Sequence, residues 1–217
     1  MSTAPALSQD RRRFLGALAL IAATPRALAA PSRSRVVTVL GDSITAGYGL
    51  RAADALPAQL QTALARLGLN VQVRGAGLSG DTTAGGLARL DFSVQADTDV
   101  CVVELGGNDV LQGLSPQTTR TNLDRILTRL KARKIRTVLC GLNAPSILNA
   151  GYARDFNRLY PDLARAHAVP LYPNLLAGVA MTPGLNQRDG LHPNPAGVKI
   201  IVARLAPVVA RALKSRT

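Results

Sequence analysis

At 217 residues, 47% apolar and 18% charged, the chain has room for one domain with a full core and is too apolar for a disordered one. Its net charge of +13 raises a nucleic-acid reading. The basic residues are scattered over helices with no aromatic residues interleaved for stacking, which makes them a solvated face and excludes that partner.

The opening is not part of the globule. Arg11-Arg12-Arg13-Phe14-Leu15 precedes an apolar run from Gly16 to Ala23, and Ala27-Leu28-Ala29 fits the small-x-small cleavage pattern. Residues 1–29 read as a signal peptide with a twin-arginine-like address, cut before Ala30. The run is short for a bilayer span, so no stable membrane insertion is expected after cleavage; an uncleaved N-terminal anchor is the alternative. Cleavage removes four arginines and Asp10, a net three positive charges, leaving +10. An exported, periplasmic or secreted protein follows, with residues 30–217 as a single domain.

Val36–Leu40 reads as a buried first strand, apolar and β-branched. It runs into Gly41-Asp42-Ser43, then Gly47 and Gly49. Pro57 opens a helix carrying Leu60, Leu64 and Leu67 on one face, ended by Gly68. A short second strand, Val71–Arg74, leads into a loop rich in glycine and capping residues, Gly75 to Thr83, and a helix to about Leu90. Asp99–Leu105 is a near-continuous apolar strand suited to the centre of a sheet, ending at Gly106-Gly107-Asn108-Asp109. Ser115-Pro116 caps a long helix with Leu123, Ile126, Leu127 and Leu130 inward. Ile135–Cys140 is a fourth strand, Tyr152–His167 a helix, and Val169–Tyr172 a short fifth strand. An irregular stretch then reaches Asp189-Gly190-Leu191-His192-Pro193-Asn194. Pro195 opens the last helix, in which Pro207 predicts a kink. Strands alternating with helices give a parallel, doubly wound sheet, with three glycine-rich turns on its carboxyl edge. Cys101 and Cys140 fall inside strands and read as buried thiols rather than a bridge.

Ligands bind at the carboxyl edge of such sheets. Ser43 offers a hydroxyl there, as a candidate nucleophile or as the N-cap of the next helix. The chain has two histidines. His167 sits late in a helix, in a solvated or helix-end position. His192 lies three residues after Asp189, a spacing that lets one turn of loop hold carboxylate and imidazole together; a capping role with a surface histidine is the plainer alternative. Gly80 and the Ser43 backbone present N–H groups and Asn108 a carboxamide, together a candidate oxyanion site. Singly, Gly80 and Asn108 also read as turn residues.

Four stretches resemble the signature blocks of the SGNH, or GDSL, hydrolases: Gly-Asp-Ser (41–43), Ser79-Gly80-Asp81, Gly-Gly-Asn-Asp (106–109) and Asp-Gly-Leu-His-Pro-Asn (189–194). Gly86-Leu87-Ala88-Arg89-Leu90, Val103-Glu104-Leu105 and Tyr160-Pro161 further resemble its bacterial periplasmic thioesterase I/lysophospholipase/arylesterase branch. The resemblance implies an α/β fold, a flavodoxin-like three-layer α/β/α sandwich on a five-stranded parallel sheet. It implies a serine esterase with Ser43 as nucleophile, His192 as base, Asp189 orienting it, and an oxyanion hole of Ser43, Gly80 and Asn108. No metal and no organic cofactor is called for. In one departure, Gly75-Ala76-Gly77 stands where that branch commonly carries Asn. With no insertion long enough for a lid, the expected substrate is a small-molecule ester or thioester of short to medium acyl chain, lined by Leu111, Leu114, Ile147 and Leu148. A carbohydrate O-deacetylase on the same fold stays open, as does a non-catalytic basic binding module of the cell envelope with an inert Ser43. Nucleotide binding is weak, because no glycine loop ends in Lys-Ser or Lys-Thr.

Overall fold

The computed structural model describes residues 1–3, 33–145, 147 and 149–215. The signal read over residues 1–29 lies, from residue 4 onward, outside the described residues. Residues Arg33–Thr217 form one unit, and all that follows concerns it.

Five parallel strands make its sheet: β1 (Arg35–Gly41), β2 (Val71–Gly77), β3 (Val100–Glu104), β4 (Arg136–Cys140) and β5 (Leu171–Tyr172), in the order β2-β1-β3-β4-β5. The central strands are largely apolar because helices cover both faces: Val37, Val39, Leu40, Val100 to Val103, Val138 and Leu139 are fully buried. One face carries α2 (Leu56–Arg66) against α8 (Pro195–Lys214). On the other, α6 (Pro116–Ala132) packs between α3 (Thr83–Ala88) and α7 (Ala150–His167). From β1 the chain moves to β2 on one side and then crosses back past β1 to β3 on the other, so the switch point of this flavodoxin-like order falls between the carboxyl ends of β1 and β3.

Helix starts follow their caps. Ser115 accepts the Thr118 N–H ahead of Pro116, and Asn194 accepts the Ala196 and Gly197 N–H groups ahead of Pro195. Pro207 does not end α8, which continues to Lys214. Leu205, Ala206, Val209 and Ala210 are all buried around it, and that packing outweighs a proline cost of about 3 kcal/mol. Cys101 and Cys140 are buried free thiols.

The second strand is longer than the sequence predicts. Gly75, Ala76 and Gly77 are not loop but pair with Val39, Leu40 and Gly41. Their glycines mark close approach rather than a turn. A Cβ on Gly77 would stand 2.2 Å from the Ala46 nitrogen, in the short helix α1 (Ser43–Ala46) that follows β1. Gly77 thus lets α1 lie against the end of the sheet, and Gly75 admits Pro57 of α2, whose Cγ would stand 2.9 Å from a Cβ there.

Candidate active site

The first strand ends in a capped turn. Asp42, not Ser43, is the N-cap of α1, its Oδ1 accepting the Ile44 N–H at 3.0 Å. The Ser43 hydroxyl is thereby left out of the cap and lies 2.9 Å from His192 Nε2. On the far side of the imidazole, Nδ1 is 2.6 Å from Asp189 Oδ2. Asp189 Oδ1 accepts the backbone N–H groups of Leu191 and His192 at 2.9 and 3.0 Å, so the carboxylate fastens the turn that carries its own partner. Gln187 Nε2 donates to the Tyr48 carbonyl at 2.7 Å and to that of Pro193 at 3.1 Å, tying this loop to the segment after α1.

The loop holding Gly80 is anchored by Arg89. Its guanidinium donates to Asp81 Oδ2 (2.7 Å), the Ala76 carbonyl (2.8 Å) and the Gly41 carbonyl (2.8 Å). An Asn is therefore not needed at 75–77 to hold this loop. The third block turns at Gly106, whose φ of +119° and contact with the Tyr160 hydroxyl leave no room for a side chain. Tyr160 in turn donates to the Leu105 carbonyl at 2.9 Å. Asn108 Nδ2 donates to the Asp81 carbonyl at 2.9 Å and to Asp42 Oδ2 at 3.3 Å. Buried Asp109 accepts from Thr83 N–H and Oγ1 and from Thr119 Oγ1, joining α3 and α6 to the same turn.

A cavity of about 390 Å³ opens over these groups. Ser43, Gly80, Asn108 and His192 share its polar end, while Leu142, Pro145, Leu176, Ala180, Met181 and Leu191 make an apolar wall. Of the expected acyl-groove residues, Leu111 lines this cavity and Leu114 and Ile147 do not. Leu114 turns its backbone to α7, its carbonyl accepting the Tyr152 hydroxyl at 2.9 Å. Ile147 is 91% exposed to solvent, and Leu148 lies outside the described residues. His167 is remote from Ser43 and pairs with Asp124 at 2.7 Å.

A family model, the GDSL-like lipase/acylhydrolase family, matches residues 39–200. The chain belongs to that family. It is 35% identical over 195 residues to the protein named esterase TesA of Pseudomonas aeruginosa, covering 89% of this chain and 94% of that one. It is 38% identical over 184 residues to thioesterase 1/protease 1/lysophospholipase L1 of Escherichia coli, covering 84% and 85%. Among solved structures it resembles AlinE4, described as an SGNH-hydrolase family esterase, at a TM-score of 0.71 and 44% identity over 86% of this chain and 100% of that one.

The charges of this family member's site are set by its fold. The His192 backbone N–H, then the His192 ring, then the Leu191 N–H hold the Asp189 carboxyl down to about 2. Burial pushes Asp42 up to about 6 against the pull of the Ile44 N–H and the neighbouring His192, with Asp81 adding to the rise. Burial also drives Glu104 well above the usual carboxylate range, and Asp42 beside it adds to this. Among the described residues, no cluster of three or more His, Cys, Asp or Glu side chains is placed to hold a metal ion.

Two features escaped the sequence reading. Tyr48, in Gly47-Tyr48-Gly49, lays its ring over His192 with centroids 4.8 Å apart, so an aromatic wall exists without tryptophan. The wall at 176–181 came from a stretch read as irregular. Its signal was the apolar spacing Leu175, Leu176 and Val179; Leu175 and Val179 are fully buried and turn Ala180 and Met181 toward the cavity.

Proposed function

We propose that the chain is a serine esterase that hydrolyses carboxylic esters and thioesters through an acyl-enzyme on Ser43. The observation that carries this reading is the unbroken relay from Asp189 through His192 to the Ser43 hydroxyl. His192 Nε2 takes the Ser43 proton as Oγ attacks the ester carbonyl carbon. Asp189 holds Nδ1–H and stabilises the imidazolium that results. The negative charge on the former carbonyl oxygen meets the backbone N–H groups of Ser43 and Gly80 and the Asn108 carboxamide. As the intermediate collapses, His192 gives its proton to the departing alkoxide or thiolate. Water then repeats the sequence on the acyl-enzyme and frees the acid. No step calls for a metal or an organic cofactor.

The apolar wall of a cavity of about 390 Å³ supports acyl chains of short to medium length. The relatives' printed names, esterase and thioesterase, support the ester and thioester classes. We place the enzyme outside the cytoplasm, in the periplasm or secreted, with residues 1–29 as its export signal and 30–217 as the hydrolase domain. No helix among the described residues is long and apolar enough to cross a membrane.

A series of p-nitrophenyl esters from two to sixteen carbons, with acyl-coenzyme A counterparts, tests the proposal. Turnover of short and medium chains, abolished in Ser43→Ala, is the expected result. Acetyl release from acetylated sugars with no action on longer esters would overturn the substrate assignment, and unchanged turnover by Ser43→Ala would overturn the mechanism.

A further inference from the structure

Two carboxyl groups lie beneath Ser43 and take no part in the relay. Asp42 is 3% exposed and Glu104 1%. Glu104 Oε2 accepts the Thr45 hydroxyl at 2.7 Å and lies 3.4 Å from the Asp42 nitrogen, so it holds the backbone on either side of the nucleophile. The Asp42 side chain reaches in a different direction. Its Oδ1 caps α1, and its Oδ2 faces Asn108 Nδ2 at 3.3 Å. That same nitrogen donates to the Asp81 carbonyl at 2.9 Å.

A carboxamide nitrogen carries two protons in the plane of the amide. Here both are directed at acceptors, one on the turn after β1 and one on the loop after β2. Two acceptors at one end of the amide fix its plane and decide which end is nitrogen. The flipped amide would set the Asn108 oxygen against a carboxylate and a carbonyl. The Asp81 bond is of ordinary length, while the Asp42 bond is long and is the weaker of the two. Gly107 lies close against the same carboxylate: a Cβ added there would stand 3.2 Å from Asp42 Oδ2, a tight contact.

We propose that Asp42 is a positioning residue for the oxyanion site: its Oδ2 selects the amide orientation of Asn108 and holds an N–H whose hydrogen bond passes to the substrate oxygen as charge develops there, the proton staying on the amide nitrogen. The Asp81 carbonyl keeps the amide anchored during that exchange. This rests on the ester-hydrolase reading of Ser43.

Two substitutions separate this role from capping. Asp42→Ser keeps a good N-cap for α1 but cannot reach Asn108. Asp42→Asn keeps the shape and sets one amide against the other. Both are assayed beside the wild type and Ser43→Ala with p-nitrophenyl acetate, and each is melted thermally. Wild-type turnover lost in Ser43→Ala establishes the underlying reading independently. On that background, kcat should fall about 10- to 100-fold in both Asp42 variants, the scale of a misplaced catalytic group, with KM changed less than about threefold. Asp42→Ser should melt near the wild-type temperature. If either variant keeps kcat within about threefold of wild type, or if the loss lies in KM alone, Asp42 is only a cap and the proposal fails.

Discussion

Replacing Asp189 by Asn changes one atom and should cost most of the activity. In the native site Oδ1 serves two backbone N–H groups while Oδ2 takes the imidazole Nδ1–H at 2.6 Å. An Asn has only one oxygen to divide between them. Keeping it on the backbone preserves two hydrogen bonds, at about 1 kcal/mol each, against one for the reverse placement. The NH₂ then faces Nδ1, which must accept, and the ring proton moves to Nε2. At 2.9 Å from Ser43 Oγ, that nitrogen becomes a donor and cannot take the serine proton. The charge that steadies the imidazolium is lost as well. For a Ser-His-Asp relay the combined loss is about 10⁴ in kcat, or about 5.5 kcal/mol of barrier. Steady-state kinetics with p-nitrophenyl acetate would read it, with KM little changed and an unaltered melt. A kcat within tenfold of wild type would show that Asp189 does not set the tautomer, and the relay would be wrong.

Asn108→Ala should lower kcat by about 10²–10³ with KM nearly unchanged, as read from the same assay, if its amide meets the oxyanion. Gly77→Ala should destabilise the fold by about 1–3 kcal/mol, measured by denaturant unfolding, because its Cβ meets the backbone of Thr45 and Ala46, which flexible side chains cannot relieve; an unchanged midpoint would contradict the packing. Asp189 also predicts an acid effect. Its folded-state carboxyl is held below its ordinary 3.8, at about 2, so it favours folding above about pH 4 and loses that contribution as pH falls toward 2. The melting temperature of the wild type should therefore fall more steeply than that of Asp189→Asn over this interval.

The candidate nucleophile Ser43 and the loops of Gly80 and Asn108 were legible because each is a short run close after a strand, and Asp189 with His192 because a three-residue spacing puts both on one turn of loop. The apolar run Val36–Leu40 places Ser43 whatever surrounds it. Features set by contacts between distant segments were not legible. Gly75 and Gly77 look like turn residues, since sequence alone does not distinguish a glycine that bends from one that admits a neighbouring helix. The acyl groove was expected from Leu111, Leu114, Ile147 and Leu148, on the loops after the third block and after Pro145. Leu111 and Pro145 do line the cavity, but Leu176, Ala180 and Met181 join them from the last third of the chain. The roles of Asp42 and Glu104 depend on burial by strands that meet only in the folded sheet. The tyrosine over His192 depends likewise on Gln187, whose amide reaches back across the sequence to the Tyr48 carbonyl.

The central claim is that Ser43 is an activated nucleophile, and its most direct test is covalent. The purified protein is incubated with a fluorophosphonate, which reacts with a serine whose proton is removed by a neighbouring base, and the adduct is mapped by peptide mass spectrometry. A single adduct on Ser43 is predicted, formed in parallel with loss of esterase turnover, absent in Ser43→Ala and strongly slowed in His192→Ala. Full turnover with Ser43 unlabelled, or stoichiometric labelling at another serine, would contradict the account.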